Sequence, residues 1–290
     1  MTLFTAEGLI CAMAAADDGR KPDYSSHVHR AYLRWLKTQG LQAPIEVQGD
    51  GWLIGLGSLW SQRAPGITCL SALEDVRSLG VPAFNDSKGC GAVMRTAPVG
   101  LLAPCDQTFG LAIELAVLTH GHPTSSLSAA FLAAALQWLI AGHSLPSAVD
   151  AAVKILRSHP GANEVLAAVE AAQALATSAP ASAAQLEELG AGWIAEEALA
   201  IAIYAVLAAP NIEEAIILAV NHSGDSDSTG SIAGNLAGAA YGVESIPARW
   251  TENLELRDEI ATLADDLLAA RNGILGLSAA QRSRYPLFPH

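Results

Sequence analysis

Asn221-His222-Ser223-Gly224-Asp225-Ser226-Asp227-Ser228-Thr229-Gly230 runs directly into Ser231-Ile232-Ala233-Gly234-Asn235-Leu236-Ala237-Gly238-Ala239-Ala240-Tyr241-Gly242. A polar knot of two carboxylates and several hydroxyls is joined to a helix-like run with Gly at 230, 234, 238 and 242. Each Gly inside a helix costs about 1 kcal/mol against Ala, so the repetition needs a physical reason. Glycines four apart form one bare ridge, which predicts close approach of a second backbone and a central place for this helix. In an extended segment before the helix, Asp225 and Asp227 would point to the same side. With the Ser228 hydroxyl they make a cluster of hard oxygens suited to Mg²⁺ or Mn²⁺. The alternative is an ordinary helix start, with Ser228 or Thr229 as the cap.

Working outward, helical signals dominate the 290 residues: Ala is abundant, β-branched runs are scarce, and period-two alternation is hard to find. Expected helices span 1–16, 27–38, 68–79, 108–119, 125–141, 145–158, 164–177, 193–208 and a long final one over 247–271. Asn211 with Glu214 three residues on reads as a capping box opening another. The Ala- and Ser-rich stretch 178–192 reads as a short helix between loops, and 40–67 and 80–100 as glycine-bearing loops. No repeat of 20–50 residues is present, and the expectation is one all-α domain over 1–290.

Hydrophobic residues make up 51% and charged residues 16%, a composition for a large core and not for disorder. A net charge of -13 with no basic stripe argues against nucleic acid as a partner. Cys11, Cys69, Cys90 and Cys105 have no metal-binding or disulfide-framework spacing and read as reduced thiols. The most apolar window, Leu127 to Ile140, is too short to span a membrane, and no signal peptide opens the chain. The expectation is a cytoplasmic monomer with no membrane contact.

Two further loops can carry chemistry. In Asn85-Asp86-Ser87-Lys88-Gly89-Cys90-Gly91-Ala92-Val93-Met94-Arg95, glycines on either side of Cys90 let backbone amides cradle an oxyanion, and Arg95 can pair with a phosphate or an internal carboxylate. A plain tight turn explains the same residues. In Thr119-His120-Gly121-His122-Pro123-Thr124-Ser125-Ser126, either His can bind a ribose or phosphate or move a proton, and His120 can equally satisfy a helix C-terminus.

Three motifs in this order, Lys88 to Pro98, Thr119 to Pro123 and Gly224 to Gly234, resemble the ADP-ribosylglycohydrolase family, and Gly190-Ala191-Gly192-Trp193 through Leu199 is similar to another of its segments. The resemblance spans nearly the whole chain. It implies a compact orthogonal multi-helix fold around two Mg²⁺ ions, and hydrolysis of an N- or O-glycosidic bond that frees ADP-ribose from a modified side chain or a small ADP-ribosyl compound. It further implies that Asp225, Asp227 and Ser228 ligate metal, with both aspartates catalytic. Ser87, Gly89, Cys90, Gly91, His120, His122 and Ser125 would then line the substrate site. The family's remaining metal ligands lie in a Thr-Asp-Asp-Thr segment just before a helix like Thr2–Ile10, and Asp17-Asp18 do not replace it. That implies an N-terminally truncated chain with weak metal binding and low or absent activity. A catalytically impaired ADP-ribose binder or structural relative is the alternative. Asp225-Ser226-Asp227-Ser228-Thr229 also fits the Asp-x-Asp-x-Thr of haloacid-dehalogenase-type phosphatases, which requires buried strands.

Overall fold

Alanine-rich helices bring their axes close, and the centre of this protein is built from two of them. The computed structural model describes residues 1–17, 22–46, 51–102, 107–178, 181–273 and 278–285; Asp18, Gly49, Cys105 and the end of the C-terminal tail lie outside them. Pro123–Ile140 and Ala195–Ala208 are apolar nearly all round and buried on every face, as such helices must be. Around Pro123–Ile140 pack Thr108–Ala116, Leu145–Leu156, Ala97–Leu102, Gly91–Met94 and Ser226–Tyr241. Ala195–Ala208 adds Asn163–Ser178 and Ile212–Val220. The buried side chains form one contiguous cluster reaching from Phe4 to Tyr285. Among the described residues there is no strand, only an isolated antiparallel bridge between Gly89 and Ile194, so the phosphatase alternative has no scaffold here.

Most elements begin within a few residues of their expected places, but the stretch 80–100, expected as loop, contains the helix Gly91–Met94 and most of Ala97–Leu102, where apolar side chains are drawn onto the central helix. Four further physical differences stand out. The helix expected from 125 starts at Pro123 and reaches 18 residues, the length of a membrane span, but 83% of it is buried inside the protein. The long final helix is broken into Ala248–Thr251 and Arg257–Arg271, because Leu256 takes a left-handed backbone at φ 59°. The polar knot contains no extended Asp225–Asp227 segment: Asp225 caps the helix Ser226–Tyr241 and Asp227 already lies in its first turn. The glycine ridge admits no second backbone. Gly230 and Gly234 face the Val220 and Ile216 side chains, Gly238 faces open space, and Gly242 ends the helix at φ 79°. The buried stripe of that helix is instead Ile232, Ala233, Leu236 and Ala237.

At the other end, Thr2–Asp17 and Tyr24–Thr38 are tied by a fully buried ion pair. Arg34 donates through Nε and Nη2 to Glu7 Oε2, and the Leu53 amide donates to Glu7 Oε1. The C-terminal helix Ala279–Arg284 is anchored similarly, with Gln281, Arg284 and Tyr285 converging on the buried Asp266 carboxylate. Removing one member of a buried pair strands the other charge. Glu7→Ala is expected to lower unfolding free energy by about 3–5 kcal/mol, whereas Glu7→Leu with Arg34→Met recovers much of the loss in urea denaturation.

Candidate active site

Three chain segments far apart in sequence are braided together at one end of the central helices. Residues 88–90 run antiparallel to 193–195, with Cys90 N donating to Trp193 O at 3.3 Å and Ala195 N to Lys88 O at 2.8 Å. The turn before Trp193 is held by Glu197, whose Oε2 accepts from the Ala191 and Gly192 amides at 3.0 and 3.1 Å. Ala191 O in turn accepts from Asp225 N at 2.8 Å. A Cβ on Gly224 would lie 1.9 Å from Ala191 O, so only glycine permits this approach. The Asp225 loop is closed on its other side by His222. Its Nδ1 accepts from the Gly224 amide, which puts the ring proton on Nε2, facing Thr229 Oγ1 at 2.9 Å.

This junction brings Cys90 against Asp225 and Ser228. The thiol donates to Asp225 Oδ2 at 3.2 Å and lies 3.3 Å from Ser228 Oγ, and Ser228 Oγ donates to the same carboxylate oxygen at 2.9 Å. Burial, reinforced by the Asp225 charge, pushes the Cys90 thiol up to about 12, so it stays protonated. Burial also pushes the Asp225 carboxyl up, but hydrogen bonds from Asp227, Ser228 and Cys90 outweigh it and hold the group below its ordinary value. Asp227 moves the other way: its hydrogen bond to Asp225, then partial burial, raises it. The two carboxyls are therefore shifted in opposite directions, the buried Asp225 toward its ionised form and the exposed Asp227 toward its protonated form.

The glycines beside Cys90 serve a different purpose from the one expected. The His120 ring packs onto them, so that added Cβ atoms on Gly89 and Gly91 would meet it at 3.2 Å. His120 is itself buried and linked through Nδ1 to Thr119 Oγ1 at 2.8 Å, and Thr119 Oγ1 also accepts from Arg95. The helix C-terminus that His120 was expected to satisfy is served by Arg95, which donates to the Leu115 and Ala116 carbonyls and lies over the Tyr32 ring. No carboxylate takes part in these bonds, and Arg95 is too buried to reach a phosphate in solution. Ser125 Oγ donates to Gly89 O, and Ser87 Oγ accepts from Gly89 N. His122 caps the helix Pro123–Ile140 by accepting from Thr124 N. The expected lining residues thus form the wall that shapes the loop. An apolar, open cavity of about 440 Å³ lies beside it, between the Pro82–Asp86 segment, Val117 and Gly121.

The donor set fits a hard divalent cation on one side. Two adjacent carboxyls whose charges oppose each other are the arrangement a cation relieves, and the Ser228 hydroxyl beside them adds a third hard oxygen. Among the described residues no group of three or more His, Cys, Asp or Glu side chains is placed to hold a metal ion by itself, so Ser228, water or substrate oxygens would have to complete the shell. Glu197, His222 and Met94, whose sulfur sits 3.1 Å from Ser228 Oγ, escaped the sequence reading. Of these only Glu197 left a signal, as the acidic residue opening a helix after a Gly-x-Gly turn.

An all-α scaffold with a pair of carboxylates at the start of one helix, where three loops meet, defines the class. The family model described as ADP-ribosylglycohydrolase matches residues 1–274, and the chain belongs to that family. It is 29% identical to an ADP-ribosylarginine hydrolase of Serratia proteamaculans over 70% of this chain and 53% of that one. To the ADP-ribosyl-dinitrogen reductase glycohydrolase of Rhodospirillum rubrum it is 26% identical, over 73% of this chain and 69% of the other. It thus spans about half the length of the first relative. A solved structure of an ADP-ribosylglycohydrolase-related protein complex superposes with a TM-score of 0.64 at 25% identity, covering 91% of this chain and 80% of that one.

Burial, with the Arg95 charge second, lowers His120 to about 3 and His29 to about 4, against an ordinary 6.5. The unfolded chain takes up these protons as pH falls below the ordinary value and the fold refuses them. Stability is therefore full above pH ~6.5 and declines toward the folded values, by at most ~1.4 kcal/mol per pH unit for each His. His120→Gln is expected to reduce the slope between pH 6 and 4 by one proton in urea unfolding curves.

Proposed function

We propose that the protein hydrolyses the glycosidic bond between ADP-ribose and an arginine side chain, with Mg²⁺ held by Asp225, Asp227 and Ser228. Mn²⁺ satisfies the same oxygen donors. The observation that carries this reading is the Asp225 carboxylate, held by the Cys90 and Ser228 donors at the loop junction with the exposed Asp227 carboxyl beside it. The relatives named for ADP-ribosylarginine and ADP-ribosyl-dinitrogen reductase support the substrate class. When bound, the cation supplies positive charge that orients the ribose hydroxyls and polarises a water.

The chain's own residues do the rest. Asp225 stays ionised because three donors surround it, and so provides a fixed negative charge facing the positive character that develops at the anomeric carbon. Asp227, on the solvent side, is placed to exchange a proton with water. His120, neutral and packed behind the loop, keeps the 89–91 backbone in place. The apolar cavity beside Asn85 and Asp86 suits the adenosine end of the substrate.

The second reading, ADP-ribose binding without turnover, is favoured by there being only two carboxylates at the site, with no third His, Cys, Asp or Glu placed to hold a metal ion among the described residues. Calorimetry with ADP-ribose and turnover of an ADP-ribosylated arginine peptide, each with Mg²⁺ or EDTA, decides between them. The hydrolase reading expects Mg²⁺-dependent release of ADP-ribose. It also expects Asp225→Asn to lower kcat by at least ~100-fold while the Kd for ADP-ribose moves only a few-fold. Metal-independent binding with no release selects the second reading.

A further inference from the structure

Trp193 is 62% exposed, and among the described residues no ring or cation stacks on it. An exposed indole is ordinary by itself; this one is set apart by the firmness with which its backbone is held beside the carboxylate junction. Its own carbonyl accepts from Cys90 N, and its neighbour Gly192 is pinned by Glu197 and packs on the Thr229 methyl and the Asp225 backbone. Trp193 therefore stands one residue from both halves of the carboxylate junction, on a rigid mount, with its ring unspent.

Acidic side chains lie on the segments that meet its own. Glu187 is exposed and ionised, held by the Ser223 amide and hydroxyl on the Asp225 loop, and Asp227 is exposed as well. The cation on this face, Lys88, is already paired with Glu164 and Glu196. An aromatic face beside carboxylates, with the local cation neutralised, complements a delocalised cation.

Resting on the proposed hydrolase reading, we infer that Trp193 is the specificity residue for the leaving group, stacking on the guanidinium of the ADP-ribosylated arginine while Glu187 supplies the rim charge. A modified serine offers neither the planar face nor the charge, so Trp193 distinguishes the two linkages at the acceptor end, separately from recognition of ADP-ribose.

Binding in an Asp225→Asn background, which suppresses turnover, tests this with three probes: an ADP-ribosylated arginine peptide, an ADP-ribosylated serine peptide and free ADP-ribose. Trp193→Ala is expected to weaken the arginine peptide roughly three- to thirty-fold, with the other two probes unchanged and Trp193→Phe intermediate. Equal affinity of Trp193→Ala and its parent for the arginine peptide overturns the inference. So does an equal loss for the serine peptide, which would make the indole a general apolar contact, or for free ADP-ribose, which would place it in the nucleotide site. Failure of the wild-type protein to bind ADP-ribose in the same assay overturns the hydrolase reading, and this inference with it.

Discussion

Asp225 opens a helix at the point where two other chain segments meet, and a carboxylate in such a half-dry place has to be stabilised from several directions at once. Its amide is fixed by Ala191, its side chain by Cys90, Ser228 and Asp227. Each of these partners is then constrained in turn. Cys90 can stand there only because Gly89 and Gly91 fold over the His120 ring, and Ala191 only because Glu197 gathers the amides of its turn. The helices behind are scaffolding for that meeting point. Through the Cys90 thiol the arrangement ties together residues 135 positions apart along the chain.

Helix content and order were readable because the signals are local: alanine propensity, the Asn211–Glu214 cap, and glycine and proline between periodic runs. The three polar loops were readable as candidates for the same reason. Their mutual arrangement was not, because each contact joining them is long-range and many use main-chain atoms, which carry no residue identity. Glu197 shows this well, since its carboxylate grips two amides and any acidic helix start looks alike in sequence.

The glycines show the opposite error. Their spacing was real, but a ridge four residues apart says only that space exists, not what fills it. Around the Ser226–Tyr241 helix the filling is the Val220 and Ile216 side chains and solvent, while the closest approaches occur at Gly224, before the helix begins. Likewise Gly89 and Gly91 make room for an internal imidazole, a use that a ligand-cradling reading of the same residues does not distinguish. Arg95, and not His120, serves the carbonyls of the preceding helix end, because a neutral, deeply buried histidine is a poor partner for carbonyls that a guanidinium can reach with several donors.

The alanine paving of the Pro123–Ile140 helix limits how this protein can change over generations. Its buried positions are mostly Ala, Ser and Leu, and a Cβ on the facing Gly100 would already sit 2.5 Å from Ala133 O. Small side chains leave nothing to trim, and close neighbours leave nothing to enlarge. Variation is therefore driven outward, into the tips of the loops, where a single exposed side chain can be exchanged without the interior registering the difference.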